Sequence, residues 1–339
     1  MKIAIVGPGA WGTALGNVLA KQDFAQVVLL GNKEEYNCIN TEHKNVLKFP
    51  DIDLSSNLFY TTNFEVGLKD ISYIVFAVPS KAYREEARKI NVLFLKNPPK
   101  EKVTIISLAK GFDPETHERL SSVLREEIDS RFANPIVTLV GPSFAEEVIA
   151  DKVTCLDAVS LDEKESEKVQ SLFKGSNLRL YTMKDEIGAE FFAALKNVLA
   201  IAGGILKGLD QGENAKAALI TRGEHEILRL LLAYGGKEET ALALCGIGDL
   251  ILTCSSTKSR NYSLGLKIGQ ADSAIEVLKE NKATVEGVYS SKYALYLAKQ
   301  KNIDVPLTEA VYRILFEGGK PSHLLSSLMD RPLKKEENL

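Results

Sequence analysis

Six residues close to the start of the chain restrict its fold more than any others. The apolar run Ile3 to Val6 passes directly into Gly7-Pro8-Gly9-Ala10-Trp11-Gly12, and Thr13 to Gln22 then reads as a helix. Glycines at the first, third and sixth places between a strand and a helix do separate things. The first permits the tight turn, the second lets backbone amides approach a pyrophosphate, and the third lets helix and strand pack closely. The helix N-terminus turns its unpaired N–H groups to the same point, which favours an anion there. Gly7, Gly9 and Gly12 therefore predict a dinucleotide site on the first strand of a βαβ unit. A glycine-rich turn without a ligand is the alternative, and it would not need that context.

The first half of the chain supplies the context. Continuous apolar runs recur at Val27 to Leu30, Ile74 to Val78, Val103 to Leu108 and Ile136 to Val140, as expected of strands buried on both faces of a parallel sheet. Helix-length stretches separate them, among them Lys81 to Leu95 and Glu115 to Ile128, the latter opened by Asp113-Pro114 as cap and first position. Cys155 to Ser160 and Leu178 to Met183 flank a charged helix, Asp162 to Phe173, and are expected to extend the sheet to about residue 185. Beyond that point the patterns are helical: Ile187 to Leu206, Ala215 to Leu232, Ala274 to Glu280, Ser290 to Lys301, Pro306 to Phe316 and Pro321 to Met329. The predicted fold is an α/β domain, a Rossmann-type doubly wound sheet over residues 1–185, followed by an all-α domain over 186–339. The tail Lys334 to Asn338 reads as a solvated end.

Charge and composition narrow the partners. Lys plus Arg number 42 against 45 Asp plus Glu, so no basic excess is available to hold a nucleic acid. The longest apolar run outside the strands, Asn197 to Leu206, is short of the roughly 20 residues that cross a bilayer, so no membrane span is expected. Cys38, Cys155, Cys245 and Cys254 form no CxxC pair, and His43, His117, His225 and His323 complete no HExxH, so neither a redox motif nor a metal is predicted. Met1 leads straight into the first strand with no basic or apolar leader, which points to the cytoplasm.

Two features bear on chemistry. The window about 20 residues past the glycine loop, where an acidic side chain would select the free ribose of NAD, reads Gly31-Asn32-Lys33-Glu34. Asn32 and Lys33 tolerate or welcome a 2'-phosphate, while Glu34 comes slightly late; a merely solvated Lys33 is the alternative. Lys196 is the only charge between Glu190 and Lys207 on an apolar helix. Burial disfavours an ammonium and draws its pKa toward the range useful for proton transfer, so Lys196 is a candidate acid/base. A lysine that snorkels to water is the competing reading. Gly246 to Thr253 sets Asp249 in a glycine-flanked turn, and Ser259-Arg260-Asn261 offers a donor fork at a helix start. Lys110-Gly111 and Gly141-Pro142-Ser143-Phe144-Ala145 follow strands, at the carboxyl edge where ligands bind such sheets. Each alone reads equally well as loop punctuation.

Taken in order, these segments resemble the soluble, bacterial-type NAD(P)-dependent glycerol-3-phosphate dehydrogenase family. They are GPGAWGTAL (Gly7 to Leu15), SLAKG (Ser107 to Gly111), GPSFAEEV (Gly141 to Val148), ALKNVLAIAGGI (Ala194 to Ile205) and NAKAALITRG (Asn214 to Gly223). GIGDLILTC (Gly246 to Cys254), SRN (Ser259 to Asn261), VEGV (Val285 to Val288) and LMDRPLK (Leu328 to Lys334) complete the set. The resemblance spans essentially the whole chain. It implies reversible reduction of dihydroxyacetone phosphate to sn-glycerol 3-phosphate, precursor of the phospholipid backbone. It implies Lys196 as the acid/base at the C2 oxygen and Asp249 as the group holding that lysine charged and oriented, with Asn197 and Thr253 lining the pocket. Arg260 and Asn261, helped by Ser259, would bind the substrate phosphate, and Lys110, Gly141 and Ser143 would touch the substrate from the nucleotide domain. Gly7, Gly9, Gly12, Ala10, Trp11, Asn32, Lys33, Ala145 and Glu286 would surround the cofactor, with Lys110 and Arg260 also in reach of it. Pro8 departs from a commoner small residue, and the second strand's tip lacks a clear family-like arginine. Both NAD and NADP are expected to serve, with a modest preference for NADPH, and a homodimer is the expected assembly. A 3-hydroxyacid or sugar-acid dehydrogenase would share the glycine loop and even the helix lysine but would not need Ser259-Arg260-Asn261 in this spacing. A non-enzymatic NAD-binding redox sensor would need neither Lys196 nor Asp249.

Overall fold

The computed structural model describes residues 1–281, 285–333 and 335, so the tail read as a solvated end lies almost wholly outside the described residues. The chain separates into two compact units, Met1–Ala109 with Asp113–Glu186, and Lys110–Phe112 with Ile187–Leu339.

The first unit contains the strands β1 (Lys2–Val6), β2 (Gln26–Leu30), β3 (Leu58–Thr61), β4 (Tyr73–Phe76), β5 (Thr104–Ser107), β6 (Val137–Val140), β7 (Thr154–Val159) and β8 (Leu178–Met183). They form one sheet in the order β3-β2-β1-β4-β5-β6-β7-β8. Strands β1 to β6 run parallel, β7 pairs antiparallel with β6, and β8 is parallel to β7. The chain winds outward from β1 to β3 and then crosses back to β4, so the carboxyl ends of β1 and β4 mark the switch point where open α/β sheets take ligands.

Alternate side chains of the central strands serve opposite faces. Ile3, Ile5, Val27, Leu29, Val75 and Ile106 join one core, while Ala4, Val6, Val28, Leu30, Ile74, Phe76 and Ile105 join the other. Helices cover both faces, which is why those strands read as uninterrupted apolar runs. Strand β3 escapes that reading because it is an edge strand with a buried Leu58 and Tyr60 alternating with an exposed Phe59.

The helix expected over Glu115 to Ile128 is confined to Leu120–Glu127. Asp113 does not cap it, because its carboxylate accepts from Arg84 Nε at 2.9 Å and Thr116 Oγ1 at 2.8 Å. His117 adopts a left-handed φ of 63°, which no helix continues through.

The second unit is helical, with no strand among its described residues. Its main helices are Glu186–Gly208, which the first unit's last residue opens, Glu213–Ala233, Asp249–Cys254, Arg260–Ala271, Glu286–Lys301, Pro306–Phe316 and Pro321–Met329. Pro306 and Pro321 open the last two, where a missing N–H costs nothing. Glu186–Gly208 is long and apolar enough to cross a membrane by length and composition, a property masked in the sequence by Lys196. Its apolar window is wholly buried in the protein, as in a core helix.

Candidate active site

The glycine loop closes at the switch point. Gly7 has φ 109°, and a Cβ there would lie 2.9 Å from the Ala77 carbonyl oxygen, so β1 must leave the sheet on a residue without a side chain. A Cβ on Gly12 would lie 2.1 Å from the Gly7 carbonyl oxygen. Gly9, which caps the helix Ala10–Ala20, is different: a Cβ there would meet no atom within 4 Å. That open space at a helix N-terminus is what an approaching pyrophosphate requires, so the loop fits a dinucleotide. Ala10 and Trp11 form the first turn of the helix, half-buried against the same core that Ala145 packs on. Ala145 begins the short helix Ala145–Ile149 after the Gly141 loop, and Ser143 Oγ in that loop donates to the Gly141 carbonyl at 3.3 Å.

One residue that holds the glycine loop gave no signal in the sequence. Asn45 is fully buried, and its Nδ2 donates to the Pro8 carbonyl at 3.2 Å and to Thr13 Oγ1 at 2.8 Å. Thr13 Oγ1 donates to the same carbonyl at 3.2 Å. Asn45 lies in a polar stretch with no periodicity, so only the fold brings it to the loop. The unusual Pro8 also finds its reason here: its ring fills the space beside Gly31, where a Cβ would come within 2.9 Å of it.

Past Gly31 the tip of β2 is pinned by Tyr60, whose hydroxyl donates to the Lys33 carbonyl at 2.7 Å and accepts from the Lys33 amide at 3.2 Å. Lys33 is exposed, and its ammonium makes no ion pair among the described residues. Glu34 turns away into a short helical turn, where its carboxylate accepts from Asn37 and from Thr62 Oγ1. Asn32 Oδ1 accepts from Lys89 Nζ at 3.2 Å.

In the second unit a lysine pair shares one carboxylate. Lys196 and Asp249 are 3 % and 1 % exposed, and Lys196 Nζ pairs with Asp249 Oδ1. Lys196 Nζ also donates to Thr253 Oγ1 at 2.8 Å, while Lys110 Nζ stands 2.9 Å from Asp249 Oδ2. Asp249 and Thr253 are four residues apart on Asp249–Cys254 and so share a face, with Thr253 Oγ1 donating to the Asp249 carbonyl at 2.6 Å. Burial drives the Lys196 pKa down to about 7, against the pull of Asp249 and with the help of Lys110's like charge. Burial would raise Asp249, but the two ammonium groups overcome it and keep the carboxylate ionised. Cys254 next door is pushed up to about 12 by burial, so it remains a thiol. Lys110, read from sequence as a strand-end residue of the nucleotide domain, belongs with the helical unit through the segment Lys110–Phe112.

Around this cluster Asn197 and Asn261 are bound to each other. Asn261 Nδ2 donates to Asn197 Oδ1 at 3.0 Å, and its Oδ1 accepts the Gly287 amide at 2.8 Å. Asn261 therefore joins three helices and has one N–H left for a ligand. Ser259 caps Arg260–Ala271, its Oγ accepting from the Tyr262 amide at 3.3 Å. Arg260, the first residue of that helix, is exposed and makes no ion pair among the described residues. Glu286 opens Glu286–Lys301, one residue before Gly287.

An enzyme that moves hydride needs a seat for a dinucleotide and a proton donor poised near neutrality, and the fold and the Lys196 cluster make this chain an oxidoreductase of the dehydrogenase class. Its residues 2–166 match the N-terminal family model of NAD-dependent glycerol-3-phosphate dehydrogenase, and residues 185–326 match the C-terminal one. The chain belongs to this family. It is 42% identical over 335 residues to the glycerol-3-phosphate dehydrogenase [NAD(P)+] of Staphylococcus epidermidis, covering 99% of both chains. The enzyme of the same name from Limosilactobacillus reuteri is 39% identical over 335 residues, 99% of this chain and 98% of the relative. The crystal structure of glycerol-3-phosphate dehydrogenase from Coxiella burnetii superposes with a TM-score of 0.88 at 34% identity, covering 97% of this chain and 99% of that one.

Proposed function

We propose that this chain reduces dihydroxyacetone phosphate reversibly to sn-glycerol 3-phosphate with NADH or NADPH, supplying the backbone of glycerophospholipids. The observation that carries the reading is the buried Lys196 whose pKa lies near neutrality beside Asp249, on a family scaffold of full length. The bound reduced nicotinamide supplies hydride to the ketone carbon. Lys196 holds the proton that the C2 oxygen takes, and Thr253 and Asp249 fix the ammonium so that the proton is not shared with water. Once the proton has left, Asp249 still has Lys110 as its cation, so no buried carboxylate is stranded.

Arg260 offers its uncommitted fork of donors to the substrate phosphate, with the remaining N–H of Asn261 beside it. Gly141 and Ser143 are assigned to the substrate, and Gly7, Gly9, Ala10, Trp11, Gly12, Ala145 and Glu286 to the nucleotide. Asn32 and Lys33 present no carboxylate to a 2'-phosphate, which supports use of both nucleotides with a modest preference for NADPH. A cytoplasmic homodimer completes the reading: the four cysteines are free thiols, and two-fold dimers are the commonest assemblies. Steady-state reduction of dihydroxyacetone phosphate by the Lys196→Ala variant tests it. We expect kcat to fall roughly 100-fold or more with an unchanged melting profile, and a near wild-type kcat would refute the role of Lys196.

A further inference from the structure

Three segments that are distant in sequence meet at one ammonium beside the tip of β2. Lys89, on the helix Tyr83–Lys96, reaches across to Asn32 Oδ1 at 3.2 Å, and its Nζ lies 3.3 Å from the centre of the Phe64 ring. Glu86 Oε2, one turn earlier, is 3.7 Å away and has no hydrogen bond of its own, so the lysine is its only counter-charge among the described residues. A groove of about 400 Å³ opens at this point, lined by Lys89, Phe64, Thr62 and Leu93. The other carboxylates nearby are already answered, Glu65 by Lys96 at 2.7 Å and Glu34 by Asn37 and Thr62.

We propose that Lys89 is the residue that recognises the 2'-phosphate of NADPH and so sets the nucleotide preference. This rests on the reading of the glycine loop as a nucleotide site. Asn32 occupies the place from which strand-tip residues meet the adenosine ribose, and Lys89 is the cation in hydrogen-bond contact with Asn32. The ring of Phe64 and the carboxylate of Glu86 hold that ammonium in one place, whereas Lys33 has only its backbone fixed. A phosphate dianion at the ribose 2' position gains an ion pair with that ammonium, whereas a free hydroxyl gains a single hydrogen bond at most.

The test is calorimetric binding of 2',5'-ADP and of 5'-AMP to the full chain, in wild type and in the Lys89→Met, Lys89→Arg and Lys33→Met variants. Methionine keeps the aliphatic stem over Phe64 and removes only the charge. We expect Lys89→Met to weaken 2',5'-ADP roughly five- to tenfold while leaving 5'-AMP unchanged, as suits one partly exposed ion pair. Lys89→Arg should retain the discrimination. A 2',5'-ADP affinity within twofold of wild type in Lys89→Met, or a loss confined to Lys33→Met, would overturn the assignment. Failure of wild type to bind 5'-AMP would instead overturn the nucleotide reading on which it stands.

Discussion

A lysine inside an apolar core persists only while something answers its charge, and at Lys196 the answer is shared. Asp249 draws the proton onto the lysine, burial drives it off, and Lys110 helps burial through like-charge repulsion. With the Lys196 pKa lowered to about 7, the protonated form that the proposed mechanism uses for ketone reduction is lost as pH rises through neutrality, while the neutral form it uses for alcohol oxidation is gained. Lys110→Met removes the like charge and leaves Asp249 wholly to Lys196, so the inflection in kcat/KM for reduction should move to higher pH. Dividing the variant's profile by that of wild type cancels the titration of the substrate phosphate. A ratio flat across pH would show that Lys110 does not tune Lys196. Lys196 was conspicuous in the sequence because it is a lone charge on an apolar helix. Lys110 follows a strand of the sheet, yet the segment Lys110–Phe112 clusters with the helical unit, and local pattern cannot reveal which core a three-residue segment joins.

The glycine loop shows the same division of labour at the level of an element. Gly12 is constrained by its own turn, where a Cβ would overlap the Gly7 carbonyl, while Gly9 has ordinary backbone angles and open space. Their alanine variants should therefore separate stability from binding. Gly12→Ala should unfold at lower temperature, because the blocking atom is backbone and cannot move aside. Gly9→Ala should melt within about 0.5 kcal/mol of wild type, as a surface change does, yet bind NADPH at least roughly tenfold more weakly. Unchanged NADPH affinity in Gly9→Ala, followed by fluorescence titration, would mean that the nucleotide does not approach this amide. Strand, turn and helix were legible here because the spacing of the glycines is itself a record of close contacts. Asn45 and Lys89 were not, since each reaches the nucleotide segment through a side chain from a stretch whose own pattern is unremarkable.

For the whole molecule, five of the eight strands declared themselves as continuous apolar runs because helices bury the middle of the sheet on both faces, while β7 and the alternating edge strand β8 were marked by the charged helix between them. The edge strand β3 and the reversal at β7 did not, because an edge alternates rather than runs, and strand direction leaves no trace in composition. The start of Arg260–Ala271 was visible in Ser259-Arg260-Asn261, although Ser259 proves to be the helix cap. What the residues could not supply without the family was the substrate, since a glycine loop and a buried lysine suit many ketones. Turnover by the purified chain, with NADPH or NADH, of dihydroxyacetone phosphate, dihydroxyacetone and a 2-oxo acid is the most direct measurement. The proposed phosphate grip of Arg260 and Asn261 predicts a kcat/KM for the phosphorylated ketone at least roughly 100-fold above the other two, with glycerol 3-phosphate as product. Equal or faster turnover of the unphosphorylated ketone or the oxo acid, or none of dihydroxyacetone phosphate with either nucleotide, would contradict the account.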